Sequence, residues 1–302
     1  MKIKALTTTL GENKIDIEKF YQNSKLVDKT GIKEVFETNK TSVDLAVDSV
    51  NELIKKVDFF DPKVCIMVTQ SPDDFLPANV IKVIAKSGLS KNILSFDFNQ
   101  GCSGFVQAFC LCFHLINRYK EILLITCDRY RDKLDDNDRS TNAVFSDGST
   151  AQYLIDDEEY KILYEDHITD GDKRDLLYQS VNKYENDGNL HMSGAAIWMF
   201  TQSDVVPQIE KSIKYCVDNN FKINGVYLHQ ASKLVVEGLK SMLSCDSSLI
   251  YANYYKHGNT VSSSIPFLIK DFPINLGSGE AVIMAGFGVG LTSTVLVYGK
   301  NK

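Results

Sequence analysis

The feature that most constrains the fold is an order of strand and helix patterns that the 302-residue chain contains twice. In the first half, a strand pattern in "VCIMVTQ" is followed by a helix, a strand in "NILSFDF", the turn "NQGCSG", an apolar helix and a strand in "EILLITCD". The second half gives the same order from "GVYLHQ" through "KLVVEGLKSML", a short strand in "LIYANYY", "KHGNTVS" and "SSSIPFLIKDF" to "GEAVIMAGF". Gln70 and Gly101 are 31 positions apart, and Gln230 and Gly258 are 28 apart. This correspondence indicates an internal duplication.

The strand patterns "VCIMV", "EILLIT" and "AVIMAGF" are apolar on both faces, which is typical of parallel strands covered by helices on each side. We therefore expect an α/β protein of two pseudo-repeated halves, residues 1–158 and 159–302, that share a central helical layer. That layer would bury the helix after Gly101 completely, which would explain why residues 98–116 carry no Lys, Arg, Asp or Glu. Residues 281–298 are also uncharged, but their glycines and β-branched residues predict two strands around a turn rather than a membrane span.

The charge and composition of the chain limit which binding partners and which cellular location we expect. The net charge is −6 and no Lys/Arg face is concentrated in the sequence, so we expect neither nucleic acid nor a membrane as a partner. The first twenty residues have no unbroken apolar core, which predicts a cytoplasmic protein. Its seven cysteines are then expected to be reduced thiols.

One of these cysteines is a candidate nucleophile. Cys102 lies at the predicted N-terminus of a helix, where free backbone N–H groups and the helix dipole would lower the thiol pKa. Cys110 and Cys112 lie within that helix, and residues two apart do not face one another, so we interpret both as buried filler. The chain contains no CxxC, and we expect no metal site.

Two neutral side chains are candidates to act with the thiol. His229 ends a predicted strand and Asn259 lies in a turn, both places where side chains project into a crevice. Cys102 and Asn259 each follow a glycine at equivalent points of the repeat, so the duplication would bring both toward one site. A single histidine at a strand end, or a single asparagine in a turn, is more often a structural hydrogen-bonding residue than a catalytic one. Their joint occurrence favours catalysis.

The motifs "GCSGF" at Cys102, "HQAS" at His229, "HGNTVSSSIP" at Asn259 and "GFGVGLT" near the end resemble those of the β-ketoacyl-acyl-carrier-protein (ACP) synthase III group of the thiolase superfamily. Weaker matches, such as "FSDGSTAQYL", extend the likeness over nearly the whole chain. The resemblance implies a thiolase-like five-layered αβαβα fold and a homodimer. The N-terminal half would carry the nucleophile, and the C-terminal half the histidine and asparagine.

The resemblance also implies a reaction, which belongs to fatty acid biosynthesis or a specialised pathway. Cys102 would take an acyl group from acyl-CoA or acyl-ACP, with the N–H groups of Cys102 and Val289 as the oxyanion hole. His229 and Asn259 would bind the carbonyl of malonyl-ACP as carbon dioxide leaves. The product would be a β-ketoacyl thioester, made by an acyltransferase with no permanently bound cofactor.

Five further positions correspond to functional residues of the family. Phe287 and Leu76 match residues that shape the acyl pocket, the second by reaching across the dimer. In the region that binds the donor, Arg139 matches an arginine on the adenine side, whereas Lys25 and Lys29 replace the tryptophan and arginine that sandwich the adenine in the family. Leu234, however, stands where the family has an arginine that docks the carrier.

Three alternatives remain open at this stage. The protein could pass the acyl group to an alcohol or amine without decarboxylation, with His229 as a general base. It could be a non-catalytic homologue that serves as a binding partner. The lysines of the helices that flank His229 could form a docking patch for an ACP or a solvated helix face; these are Lys211, Lys214, Lys233 and Lys240.

Overall fold

The computed structural model describes residues 1–22, 24–135, 137–180 and 188–302. The strands are β1 Lys2–Leu10, β2 Asn13–Asp16, β3 Glu34–Glu37, β4 Val64–Val68, β5 Leu94–Phe98, β6 Glu121–Asp128, β7 Gly148–Ile155, β8 Tyr160–Thr169, β9 Leu177–Tyr178, β10 His191–Met192, β11 Lys222–Leu228, β12 Glu280–Gly288 and β13 Thr292–Lys300. The helices are α1 Ile17–Tyr21, α2 Ser24–Thr30, α3 Ser42–Ile54, α4 Asn79–Lys86, α5 Gly104–Tyr119, α6 Arg139–Asn142, α7 Gly194–Phe200, α8 Val206–Asp218, α9 Lys233–Met242, α10 Tyr254–His257 and α11 Ser264–Asp271.

The two large sheets have the same internal order. The first runs β1-β7-β6-β4-β5, with β4 parallel to β5 and β6 and with β7 antiparallel to β6 and β1. The second runs β8-β13-β12-β11, with two antiparallel pairings followed by one parallel pairing, where the first sheet has two. The first sheet ends at Ile155 and the second begins at Tyr160. This spacing is compatible with a boundary at residue 158, and the division into two halves stays a prediction.

The short strand predicted in "LIYANYY" is wrong. Within the described ranges, this segment makes one parallel bridge, from Ile250 to Val226 of β11. Beyond the bridge, the side-chain oxygen of Gln230 accepts a hydrogen bond of 2.8 Å from the Asn253 N–H. That side-chain bond takes a donor that a β-ladder would use, and the chain turns into α10 instead.

The central strands of both sheets, such as β4, β6 and β12, are buried at nearly every position. In β4, Val64, Ile66 and Val68 belong to the apolar cluster between the sheets. Cys65 and Met67 belong to the cluster on the other side of the sheet, under α3 and α4. Successive side chains of a strand point to opposite faces, so a strand that is apolar at every position requires a cover on both sides.

The elements stack in five layers. Helices α3 and α4 pack on the outer face of the first sheet and α8 on the outer face of the second, while α5 and α11 contact strands of both sheets. The predicted αβαβα arrangement is confirmed. Within the ranges that the structure describes, none of the helices combines the length and the apolarity that crossing a bilayer would take.

The prediction that the helix after Gly101 is completely buried is wrong for its last turns. Phe105 and Phe109 of α5 are inaccessible to solvent, and Phe109 packs edge-on against Tyr298 with ring centroids 5.4 Å apart. His114 is exposed, in contrast, with 62% of its side chain accessible. This end of α5 reaches β8, the edge strand of the second sheet, so its outer side meets water.

Candidate active site

Cys102 and His229 both lie against the end of β12. The His229 N–H donates a hydrogen bond of 2.9 Å to the carbonyl of Ala285. The Cys102 carbonyl oxygen lies 3.0 Å from the position that a Cβ would take on Gly286. A Cβ on Gly288 would lie 3.2 Å from the Cys102 sulfur. The glycines therefore let the backbone of Cys102 and its thiol approach the strand closely.

Phe287 lies between these glycines in sequence and contacts the histidine. Its ring is 5.7 Å from the His229 ring, centroid to centroid, in an edge-to-face arrangement. Phe287 is buried in the same apolar cluster as Cys102. The residue predicted for the acyl pocket is thus close to two of the predicted catalytic residues, and its role in the pocket stays a prediction.

Asn259 is fixed by backbone pairing with the segment before β7. Its N–H donates to the carbonyl of Val144, and its own carbonyl accepts from the N–H of Ser146. Its side-chain oxygen accepts a hydrogen bond of 2.9 Å from the Val261 N–H. Because the oxygen is occupied, the side-chain NH₂ is the end available to a ligand. Phe145, which bridges to Asn259, shares the apolar cluster of Cys102.

His229 is neutral and its tautomer is fixed by a neighbour. Burial lowers its pKa to about 3. Its Nδ1 lies 2.7 Å from the hydroxyl oxygen of Ser264, which also accepts from the Gln230 N–H at 3.4 Å. Among the described residues, Nδ1 is the acceptor within reach of this hydroxyl's proton, which favours donation from Ser264 to Nδ1. The imidazole proton is then on Nε2, as a hydrogen-bond donor.

The prediction that the helix start lowers the pKa of Cys102 is wrong. Burial, and secondarily the charge of Asp128, raise the pKa of this thiol. Helix α5 begins at Gly104, so Cys102 precedes the first helical residue by two positions. Helix-end charge effects are typically worth about 0.3–1 kcal/mol and fall off within one turn, while full burial shifts a pKa by several units. The thiol is therefore protonated in the free protein.

A buried polar network supports the turn that carries Cys102. The Gln70 N–H donates to Asp128 at 2.9 Å, and the Ser262 N–H donates to the second carboxylate oxygen at 3.1 Å. The Tyr130 hydroxyl donates to the side-chain oxygen of Gln70 at 2.8 Å. A Cβ on Gly101 would lie 2.3 Å from that oxygen, so a larger residue before the cysteine would displace the Gln70 side chain from this network. Burial raises the pKa of Asp128 to about 7.

A cavity of about 460 Å³, the Trp198 cavity, opens beside Asn259. Its wall includes Trp198, Phe145 and Lys29. Lys29 therefore lines a cavity next to Asn259, and its role in donor binding stays a prediction. Arg139 is exposed on α6 and is not among the described residues that line this cavity.

A second cavity, of about 420 Å³, reaches the glycine turn from another side. We call it the Val289 cavity, and its wall includes Gln70, Tyr130, Leu177 and Val289. Leu76 is 87% exposed and is not among the described residues of this wall. Its predicted contact across a dimer stays a prediction.

The lysines of the predicted docking patch are mostly paired with acids. The ion pairs are Lys211–Asp166, Lys214–Asp218 and Lys240–Glu237. These pairs favour the interpretation as a solvated helix face.

Sequence reasoning missed three residues of the site. Trp198 is the only tryptophan of the chain and lies in the apolar segment "GAAIWMF", which was a usable signal for a cavity wall. Ser264 lies in the serine run after Asn259, but a serine run does not show which hydroxyl meets the histidine. Asp128 ends a buried strand, and its partners come from distant segments.

A cysteine, a neutral histidine and an asparagine around one apolar cluster, within two stacked sheets and five layers, define a thiolase-like fold with a cysteine-centred candidate active site. Residues 96–171 match the family model "3-Oxoacyl-[acyl-carrier-protein (ACP)] synthase III", and residues 219–299 match its C-terminal counterpart. The chain belongs to this family.

Curated relatives and solved structures agree. Beta-ketoacyl-[acyl-carrier-protein] synthase III of Streptococcus sanguinis is 30% identical over 286 residues, which cover 89% of this chain and 88% of that protein. The protein of the same name from Streptococcus thermophilus is 31% identical and covers 87% of this chain and 86% of its own length. The crystal structure of 3-oxoacyl-(acyl carrier protein) synthase III from Pseudomonas aeruginosa superposes with a TM-score of 0.87 over 99% of this chain and 98% of that chain. At 24% identity that structure shows the likeness of fold.

Proposed function

We propose that the protein is a condensing enzyme that forms an acyl thioester on Cys102 and joins the acyl group to a malonyl thioester with loss of carbon dioxide. Membership of the family supports this reaction class. The observation that carries the proposal is the state of His229. A buried histidine that is neutral and protonated on Nε2 is suited to stabilise negative charge on a carbonyl oxygen rather than to hold a charge of its own.

In the first half-reaction, the Cys102 sulfur attacks the carbonyl carbon of an acyl-CoA or acyl-ACP. The new S–C bond forms as the donor's thioester bond breaks, and the thiol proton passes to the leaving thiolate. We assign the tetrahedral oxyanion to the N–H groups of Cys102 and Val289. One such donor is typically worth about 3 kcal/mol in the transition state.

In the second half-reaction, the bond between the malonyl carboxylate and its α-carbon breaks and releases carbon dioxide. We assign the resulting enolate oxygen to the Nε2–H of His229 and the side-chain NH₂ of Asn259. The α-carbon then attacks the acyl-cysteine, a C–C bond forms, and the Cys102 thiolate leaves and takes a proton from water. The product is a β-ketoacyl thioester.

The two cavities suggest how the substrates divide. The Trp198 cavity has a largely apolar wall with Lys29 in it, which suits the arm of a phosphorylated thioester carrier. The Val289 cavity adjoins the proposed oxyanion hole and would take the acyl chain. Phe287 and Leu76 as acyl-pocket residues, a homodimer and a cytoplasmic location belong to the same proposal.

The test separates acylation from condensation. Purified protein is exposed to a panel of acyl-CoA donors, and intact mass spectrometry reports the adduct. Malonyl-ACP is then added and carbon dioxide release is measured. We expect an adduct that Cys102→Ala abolishes and that Cys112→Ala, a change at a buried cysteine of the helix that follows Cys102, retains.

Two results would contradict the proposal. An intact acyl-enzyme that releases no carbon dioxide, but loses its acyl group to an added alcohol or amine, would indicate an acyltransferase without decarboxylation. A protein that forms no adduct with any donor would indicate a binding homologue.

A further inference from the structure

A cluster of metal-binding side chains lies where α5 crosses β8, away from the candidate active site. Cys110 and His114 are four residues apart and share one face of the helix. Glu165 and His167 are two residues apart and share one face of the strand. Neither pair forms a recognisable motif in the sequence, and only the packing of α5 on β8 brings the pairs together.

The distances are those of groups that can share one ion. Ligand atoms of Cys110, Glu165 and His167 all lie within 4.8 Å of one another. The Nε2 of His114 is 3.5 Å from a carboxylate oxygen of Glu165. In a tetrahedral zinc site, with bonds of about 2.0–2.3 Å, ligand atoms are about 3.5 Å apart. Small side-chain adjustments therefore suffice for Cys110, Glu165 and His167, and His114, which lies outside that group of three but has an exposed side chain, would make the largest movement.

We propose that Cys110, His114, Glu165 and His167 bind a divalent transition-metal ion, with zinc as the best match. One thiolate, two imidazoles and one carboxylate are ligands that zinc accepts, whereas magnesium and calcium prefer oxygen alone. Binding forms an S–Zn bond at Cys110 and releases the thiol proton to water.

The surroundings suit such a site. The Nδ1 of His167 lies 3.0 Å from the hydroxyl oxygen of Thr294 on the neighbouring strand β13, which orients the ring and leaves Nε2 for the metal. Support of this kind around a ligating histidine is usual in metal sites. Glu165 and His167 are exposed and Cys110 is buried, so an ion can enter from solvent and reach the sulfur.

A bound ion would cross-link the edge strand β8 to the central helix α5. Cys110 follows Gly104, the first residue of α5, by six residues, which is about 9 Å along the helix, and Cys102 lies before that helix. The ion would therefore stabilise the helix that follows the candidate nucleophile without contacting the reacting groups.

The test uses full-length protein stripped of metal with a chelator. We expect one Zn²⁺ or Co²⁺ per chain, a thiolate-to-cobalt charge-transfer band, and a melting temperature about 5 °C higher in saturating zinc. Cys110→Ser should remove the band and weaken zinc binding at least about 100-fold. The matched control Cys112→Ser, a buried cysteine two residues away on another face of α5, should retain both.

Two further variants keep the test decisive if Cys110→Ser does not fold. Glu165→Gln and His167→Ala change exposed side chains, and each should weaken binding about 10- to 100-fold. Wild-type affinity in Cys110→Ser, a cobalt complex without the thiolate band, or no binding at 100 times the protein concentration would overturn the proposal.

Discussion

Replacement of Ser264 by alanine tests the proposed state of the histidine most directly. The Ser264 hydroxyl lies 2.7 Å from Nδ1 of His229 and also accepts from the Gln230 N–H, so its proton is directed to the ring. Without that hydroxyl, the buried Nδ1 has two options. It either stays an unpaired acceptor or takes the ring proton and leaves Nε2 without one.

The first option destabilises the folded state and the second removes the donor to the enolate, and the structure allows the magnitude of each to be worked out. An unpaired buried acceptor costs about 1–3 kcal/mol. Loss of a donor to a developing oxyanion costs about 3 kcal/mol in the transition state. Since about 1.4 kcal/mol corresponds to tenfold in rate, we expect condensation to slow about 100-fold. The acylation of Cys102 uses backbone donors and should be unaffected.

The assay measures both half-reactions on the same sample. Intact mass spectrometry follows formation of the acyl-enzyme, and carbon dioxide release follows condensation. Ser263→Ala is the matched control, because the buried Ser263 hydroxyl bonds to Thr126 at 2.8 Å and to the Gly148 carbonyl at 3.3 Å. A Ser264→Ala variant that condenses at the wild-type rate would refute the tautomer argument, and an equal loss in both half-reactions would indicate misfolding.

Three further predictions concern the thiol and the cavity. Because burial raises the pKa of Cys102, its alkylation rate should climb about tenfold per pH unit through pH 9, and a plateau below pH 8 would contradict this. Gly288→Ala places a methyl group 2.9 Å from Cys102 Cβ and should lower the acylation rate at least about tenfold, as measured by mass spectrometry of acylation reactions quenched at successive times. Trp198→Ala removes an aromatic wall of the Trp198 cavity and should raise KM for the donor about tenfold with kcat little changed, whereas a fall in kcat alone would place the ring near the reacting atoms.

The strands and turns could be predicted from the sequence because the residue patterns that cause them span only a few positions. An unbroken apolar strand such as "VCIMV" has to be covered on both faces, and β4 is. The glycine turn in "GFGVGLT" joins two antiparallel strands, as the β-branched residues around it predict. The prediction of a strand around Ile250 was wrong because the side chain of Gln230 accepts a hydrogen bond from a backbone N–H of this segment. Strand propensity does not indicate that competition.

Sequence patterns predicted only part of the candidate active site. The positions of Cys102, His229 and Asn259 after glycine turns or strand ends are properties of the chain order. The pKa of Cys102 is not, because it depends on how completely the folded protein removes water from the sulfur.

The sequence by itself determined that apolar strands and helices alternate twice, and that a cysteine, a histidine and an asparagine follow them at fixed points. Periodicity and turn residues act over a few positions, so a linear pattern is enough to predict them. Only the tertiary structure decided which distant groups meet: Ser264 with His229, Asp128 with Gln70, and Cys110 with Glu165. Protonation, tautomer and metal binding all depend on contacts between distant residues and on burial. Contacts of this kind and burial are not determined by residues adjacent in the chain.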